Sequence, residues 1–458
     1  MRAKITAHAF SGVVRIPASK SHTIRQLLIA SLADGVSEIR FPLDSLDVRS
    51  CVEACRVLGA KIEEHRSGDP LCQNPPAEDG TKLSAFTVTG NAGIFPGGRH
   101  FIDVGNSGTT LYLAMAIAGL GCEPIEFSGD EQIQRRGAGP LLKALKELGV
   151  RAESRKNNDC VPIVIQGPWK GGAINLPCPL SQYLSALLLA APLAPAGTLT
   201  EIEVPLLNER PYIEITLSYL DAHGIPWKAP ADFSHFSIPG GSRWKPFARN
   251  VPGDFSSAAF PAAAAVISGN ALTILGLDPD DPQGDKSFFD ILAQMGCAVK
   301  WEKTETAGNI PEWSLSLSRS VPLKGGTFDL NATPDMLPIL AVCAAFAEGD
   351  TALVNVAHAR DKETDRIAVM AKELGKLGIE TTEKPDGLII HGKGACGKIA
   401  GGLIDSHGDH RIAMAFAAAA MGTASPIEIE NAECAAVSYP GFLELLNAEI
   451  APDNFNRK

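Results

Sequence analysis

Six times along the 458-residue chain, a small polar cluster runs directly into an apolar, alanine-rich segment. The six versions are SKSHTIRQLLIASLA from Ser19, NSGTTLYLAMAIAGL from Asn106, LSQYLSALLLAAPLA from Leu180, DFSSAAFPAAAAVI from Asp254, TPDMLPILAVCAAFA from Thr333 and GDHRIAMAFAAAAM from Gly408. Their starts lie 74–87 residues apart. Each segment reads as a helix nearly apolar all round, as buried helices are. Each is followed by a β-rich run: GVSEIRF, CEPIEF, GTLTEIEV, NALTILG, DTALVNV and SPIEIEN. A second helical stretch then closes on a shared signature: RVLGAKIE, KELGVRAE, DAHGIPWK, AQMGCAVK and GKLGIETT, with Gly59, Gly149, Gly224, Gly296 and Gly378 at the helix stop. The sixth copy ends as LELLNAEI. A unit of two helices and several strands is too large for a solenoid repeat. Six such units suit an α/β chain of two domains with three repeats each, and the length fits two domains of about 200 residues.

The formal net charge of −11 argues against nucleic acid or an anionic membrane as partner. Anionic substrates would therefore need locally concentrated positive charge. The opening MRAKITAHAF has no signal-peptide core, and no apolar run reaches the ~18 residues of a membrane span, so a cytoplasmic protein is expected. The ten cysteines show no metal-ligand pattern; Cys51 and Cys55 share helical spacing without a matching second pair.

The polar clusters are first of all helix N-caps. A helix start also attracts anions through free N–H groups and the dipole, and several pointed at one cleft would build an anion site. Beyond the N-cap residues themselves, three of the six carry extra cationic or ionisable groups: Lys20 with Arg25, Asp335, and Asp409-His410-Arg411. Residues five apart on a helix are about 140° apart around the axis, so Lys20 and Arg25 can face one cleft. In HARDKETDR, a carboxylate flanked by Lys and Arg suits a general acid/base near an anion, although acidic first-turn residues are also ordinary dipole complements. Arg135 and Arg136 precede another helix, where guanidinium forks suit carboxylate or phosphate. The stretch GKGACGK at 392–398 imitates a nucleotide P-loop, but Ile399 stands where Ser or Thr is required.

The motifs SKSHTIR, GNSGTTL, LSQ before an apolar helix, RPYIEITL, VPGDFSSAAF, DxxxTPDMLP, RxKETDR and GDHRIAM occur in order over nearly the whole chain. In these the chain resembles the 5-enolpyruvylshikimate-3-phosphate synthases of the enolpyruvyl transferase family. The resemblance implies a two-domain α/β fold of βαβαββ repeats, with helices converging on an inter-domain cleft. One discontinuous domain would comprise 1–20 with 251–458, and an inserted domain 21–250. The implied reaction transfers the enolpyruvyl group of phosphoenolpyruvate to the 5-hydroxyl of shikimate 3-phosphate by addition and elimination, with no metal or other cofactor. A monomer is expected.

Carried over by position, Lys20 would touch both substrates and is a candidate proton donor. Ser21, Arg25, Ser181, Gln182, Tyr212 and Lys362 would hold shikimate 3-phosphate. Arg136, Arg366 and Arg411 would clamp phosphoenolpyruvate, and Thr109 would border it. Asp335 would bind the acceptor hydroxyls, and Glu363 would serve in proton transfer at the methylene carbon. Five positions depart from the family pattern. Tyr112 stands for a usual Arg and Leu180 for the first Ser of Ser-Ser-Gln, which removes a phosphate hydroxyl. Glu209 stands for a usual Ser, His358 for a frequent Asn, and Val437 for a Lys that contacts phosphoenolpyruvate. Weak inhibition by glyphosate, which in this family occupies the phosphoenolpyruvate site, is expected from Val437. The acceptor-side departures also fit a relative using another hydroxylated acceptor; Val437 and Tyr112 also fit a non-catalytic ligand-binding relative.

Overall fold

In the computed structural model the chain forms two compact units, Met1–Pro17 with Pro252–Lys458, and Ala18–Val251. The structure describes all residues except 70, 75, 78–79, 306–310, 395–398, 448 and 452–458. The end of the GKGACGK stretch falls outside the described residues.

The six polar-to-apolar segments are the odd-numbered helices of an alternating series. In the contiguous unit, α1 (Lys20–Leu32), α3 (Gly108–Ala118) and α5 (Ser181–Ala190) alternate with α2 (Leu46–Val57), α4 (Gly139–Glu147) and α6 (Arg210–His223). In the other unit, α7 (Phe255–Ser268), α9 (Leu337–Ala345) and α11 (His410–Ala419) alternate with α8 (Ser287–Gln294), α10 (Arg366–Lys376) and the short α12 (Phe442–Leu445). The odd helices are buried almost throughout; every residue of α9 and α11 is buried. Their alanines let the backbones approach closely, so α11 packs against both α7 and α9, and α3 against α5. The even helices α4, α8 and α10 are amphipathic and bury one face. Each unit has its own apolar core.

The β-rich runs after the odd helices are, among the described residues, the pivots of six small sheets. Each pivot pairs in parallel with one strand and antiparallel with another. Thus Ile125–Ser128 runs parallel to His100–Asp103 and antiparallel to Ile163–Gln166. Glu348–Val354 likewise runs parallel to Thr327–Asp329 and antiparallel to Gly387–Lys393. In the first copy of each unit the parallel partner comes from far away in sequence. Val36–Arg40 takes Ala248–Asn250, and Leu272–Leu275 takes Gly12–Arg15. The last sheet closes on the opposite end of the chain: Arg2–Ile5 lies between Ile427–Glu430 and Glu449–Ala451.

In four of the six copies the odd helix joins two paired parallel strands, and in all six the polar cluster lies at the helix N-terminus. Three clusters cap as the residue types suggest: Ser107 accepts from the Thr110 N–H, Asp254 from Ser257 and Asp409 from Arg411. The other three do not. Ser19 and Leu180 make no side-chain cap, and α9 is entered through the 3-10 turn Pro334–Met336. At the even-helix stops, Gly224 is the C-cap of α6, in the left-handed region at φ 68°. Gly59, Gly149, Gly296 and Gly378 sit one residue beyond the C-cap, all at positive φ, where a side chain would be strained.

Candidate active site

The contiguous unit gathers Lys20, Ser21, Arg25, Thr109, Arg136, Ser181, Gln182 and Tyr212 on or beside the starts of α1, α3, α5 and α6. Arg25 does not lie at a helix mouth in the open; it is 1% exposed. Its Nε donates to Thr216 Oγ1 at 3.0 Å, Nη1 to the Ser21 carbonyl at 3.2 Å, and Nη2 to Ser185 Oγ and the Tyr212 carbonyl, both at 3.2 Å. Among the described residues no carboxylate lies within ion-pair distance of it. Burial pulls its pKa down to about 10, against the opposing influence of Tyr219 and Tyr212. A desolvated cation satisfied only by hydroxyls and carbonyls is electrostatically ready for an anion.

Lys20 differs: its Nζ meets Asp47 Oδ2, on the first turn of α2, at 3.0 Å. Gln182 Nε2 donates to Thr109 Oγ1 at 3.0 Å, joining the starts of α5 and α3. The buried Gln182 Oε1 has no hydrogen-bond partner among the described residues. Arg136 lies across the start of α3, so close to Gly108 that an added Cβ would stand 2.8 Å from its guanidinium carbon. A cation at a helix N-terminus opposes the dipole, and an anion bound beside them would be favoured by each.

Tyr112, one turn into α3, is fully buried. Its hydroxyl donates to the Gly137 carbonyl at 3.0 Å, and its ring meets Tyr183 edge-on at 5.1 Å. Burial pushes the phenol pKa up. This position therefore contributes packing rather than charge. Glu209, the residue before α6, is 1% exposed and has φ 56°. Its Oε2 accepts from the Ser181 N–H at 3.0 Å and from Ser181 Oγ at 2.7 Å.

The discontinuous unit gathers Asp335, Lys362, Glu363, Arg366 and Arg411 near the starts of α9, α10 and α11. Here the arginines are already neutralised. The fully buried Arg366 donates from Nη1 to Asp335 Oδ1 at 2.7 Å, from Nη2 to Glu363 Oε2 at 2.6 Å, and from Nε to Asp409 Oδ2 at 2.8 Å. Burial works against its charge, but Asp409, Glu363 and Asp335 hold its pKa well above the ordinary value. Asp335 bridges the two arginines, since its Oδ2 meets Arg411 Nη2 at 2.9 Å. Lys362 Nζ lies 4.0 Å from Asp335. Arg411 Nη1 also donates to Ser256 Oγ, at the start of α7. The Asp335 carboxylate thus faces two guanidinium groups and an ammonium.

The pairings of three groups carry no sequence signal. Asp285, 4% exposed, sits beside Ser256, Asp335, Arg411 and Asp254. Burial, with Asp335 next, pushes its pKa up to about 7. Ser256 reaches Arg411 across 155 residues of sequence, and Asp47 reaches Lys20 across 27. None shares a local period with its partner. His358 is buried, and Val437 ends the 3-10 stretch Ala432–Val437.

A family profile described as EPSP synthase (3-phosphoshikimate 1-carboxyvinyltransferase) matches residues 5–446. The chain is 42% identical over 447 residues to the 3-phosphoshikimate 1-carboxyvinyltransferase of Acetivibrio thermocellus, covering 98% of both chains. It is 42% identical over 441 residues to that of Ruminiclostridium cellulolyticum, covering 96% of both. The solved EPSP synthase of Acinetobacter baumannii matches with a TM-score of 0.78 and 29% identity, over 98% of this chain and all of that one. With the family profile spanning nearly every residue, the two-domain architecture shared with the solved enzyme and relatives matched end to end, the chain belongs to the EPSP synthase (3-phosphoshikimate 1-carboxyvinyltransferase) family.

Proposed function

We infer that the side chains gathered in the two units carry out the family reaction with the division of roles set out here. As a member of the family, the chain is an enzyme of the shikimate pathway. It transfers the enolpyruvyl group of phosphoenolpyruvate to the 5-hydroxyl of shikimate 3-phosphate and releases phosphate. Ser21, Arg25, Ser181, Gln182, Tyr212 and Lys362 hold the acceptor. Arg136, Arg366 and Arg411 hold phosphoenolpyruvate, with Thr109 beside it. Asp335 binds the acceptor hydroxyl and takes its proton as the oxygen adds to C2, a proton that leaves in the end with the released phosphate. Lys20 and Glu363 move the proton at the methylene carbon: onto C3 in the addition, and off again as phosphate leaves. The observation that carries this reading is Arg25, a buried guanidinium with no carboxylate partner among the described residues, where a substrate anion gains a fully desolvated cation. We further infer a monomer working in the cytoplasm; among the described residues no helix is long and apolar enough to cross a membrane.

The test is phosphate release by purified protein given both substrates, in the parent and in Arg411→Ala. The parent releases phosphate with shikimate 3-phosphate as acceptor. Arg411→Ala raises the phosphoenolpyruvate KM about 10–100-fold, equivalent to ~1.5–3 kcal/mol, with a much smaller change in acceptor KM. Binding of either ligand without phosphate release would refute the catalytic reading, and release only with a different hydroxylated acceptor would refute the acceptor. Equal changes in both KM values would refute the role of Arg411.

A further inference from the structure

The loops entering α5 and α6 run side by side, joined by the parallel bridge between Cys178 and Leu207. The Asn208 N–H donates to the Cys178 carbonyl at 3.1 Å, and its side chain to the Pro179 carbonyl at 3.3 Å. This pairing sets two helix N-termini next to one another. The residue before α5 is Leu180, which has no side-chain acceptor to offer its helix. Glu209 occupies the corresponding place before α6, yet its side chain does not cap its own helix. It crosses to α5 and accepts both the N–H and the hydroxyl of Ser181, at 3.0 and 2.7 Å.

Three features make this more than a borrowed cap. The carboxylate is 1% exposed, so it forgoes hydration, and Ser181 supplies two of the donors that replace water. The backbone of Glu209 is left-handed, a conformation costly for a side chain of this kind unless its surroundings hold it. The donor pair it takes, one backbone N–H and one hydroxyl at a helix start, suits any small oxyanion, including a phosphate. A capping role alone needs only an acceptor oxygen and no charge.

We propose that Glu209 is a built-in competitor for the acceptor's phosphate: its carboxylate fills the Ser181 donor pair and so lowers the preference for a phosphorylated acceptor over the same acceptor without its phosphate. The proposal rests on the reading of Ser181 as an acceptor-holding residue. Two anions cannot use the same N–H and O–H together. The phosphate therefore binds with Glu209 displaced, or binds beside it against like-charge repulsion. Either way the cost falls on the phosphorylated acceptor alone.

The experiment measures kcat/KM for shikimate 3-phosphate and for shikimate in the parent, Glu209→Gln, Glu209→Ser and Ser181→Ala. Glu209→Gln keeps an acceptor for the Ser181 N–H and nearly the same volume while removing the charge. It is expected to raise the ratio of kcat/KM for shikimate 3-phosphate over shikimate at least fivefold, through a lower KM for the phosphorylated acceptor. Glu209→Ser should move the ratio the same way, and it serves if the Gln variant does not fold. A ratio unchanged or lowered in the folded variants would overturn the proposal and leave Glu209 as a cap for α5. Ser181→Ala separates the underlying reading. A raised KM for shikimate 3-phosphate in Ser181→Ala, with no change of ratio in the Glu209 variants, removes only the competitor. No change in Ser181→Ala removes the acceptor role of Ser181 and the competitor with it.

Discussion

The two units hold their key arginines in opposite electrostatic states. Arg25 of the contiguous unit is buried among hydroxyls and carbonyls, with no counter-charge among the described residues. Arg366 of the discontinuous unit is equally buried but is gripped by Asp335, Glu363 and Asp409. The first arrangement spends folding stability to keep a cation available. The second fixes geometry, because every fork of the guanidinium is used and Asp335 is locked between two arginines. One half is suited to receive a charge and the other to hold a carboxylate in a defined place.

That contrast can be broken most forcefully at Arg366. Arg366→Ala leaves three carboxylates facing one another without their shared cation, and we expect a loss of about 3–5 kcal/mol in folding stability by denaturant titration. A stability change below about 1 kcal/mol would mean the network is far better solvated than its burial indicates. Next in size is Gly108→Ala, which acts in the contiguous unit. The new methyl stands 2.8 Å from the Arg136 guanidinium carbon, so that flexible side chain must move. The phosphoenolpyruvate KM should rise at least about tenfold, as one charge-assisted bond is lost, with the acceptor KM nearly unmoved. An unchanged KM for phosphoenolpyruvate would remove Arg136 from its site.

The smallest effect sharpens the comparison through pH. Asp285 titrates at about 7, raised first by burial and then by Asp335. A carboxyl whose pKa is raised on folding binds its proton more tightly in the folded state. Its contribution is therefore complete below its unfolded pKa and lost as pH climbs to about 7. Asp285→Asn should flatten the fall in stability between pH 4 and 7, read from denaturation midpoints across that range. A slope identical to the parent's would assign the titration elsewhere in the network.

Much of this architecture could be read from the sequence because its signals are local. A polar residue ahead of an alanine-rich run, a β-branched run after it and a glycine at the next helix stop all lie within a few residues of what they specify. The positions of Asp335, Lys362, Glu363, Arg366 and Arg411 near helix starts follow from that reading. Their state of charge does not. The pairing of Arg366 with Asp409 spans 43 residues, that of Ser181 with Glu209 spans 28, and each depends on which helix starts become neighbours. Leu180 is the instructive case. Its lack of a capping group is visible in the sequence, but the replacement acceptor on another helix is not.

The route of the chain through its sheets bears on the order in which the units can be completed. Every strand partner of the contiguous unit lies between residues 18 and 251, so its sheets can close once that stretch has left the ribosome. The other unit has its first two strands, Arg2–Ile5 and Gly12–Arg15, made before anything they pair with. Gly12–Arg15 must wait for Leu272–Leu275, and Arg2–Ile5 for Ile427–Glu430. Residues 2–5 and 12–15 therefore have, among the described residues, no native strand partner until later parts of their unit are made.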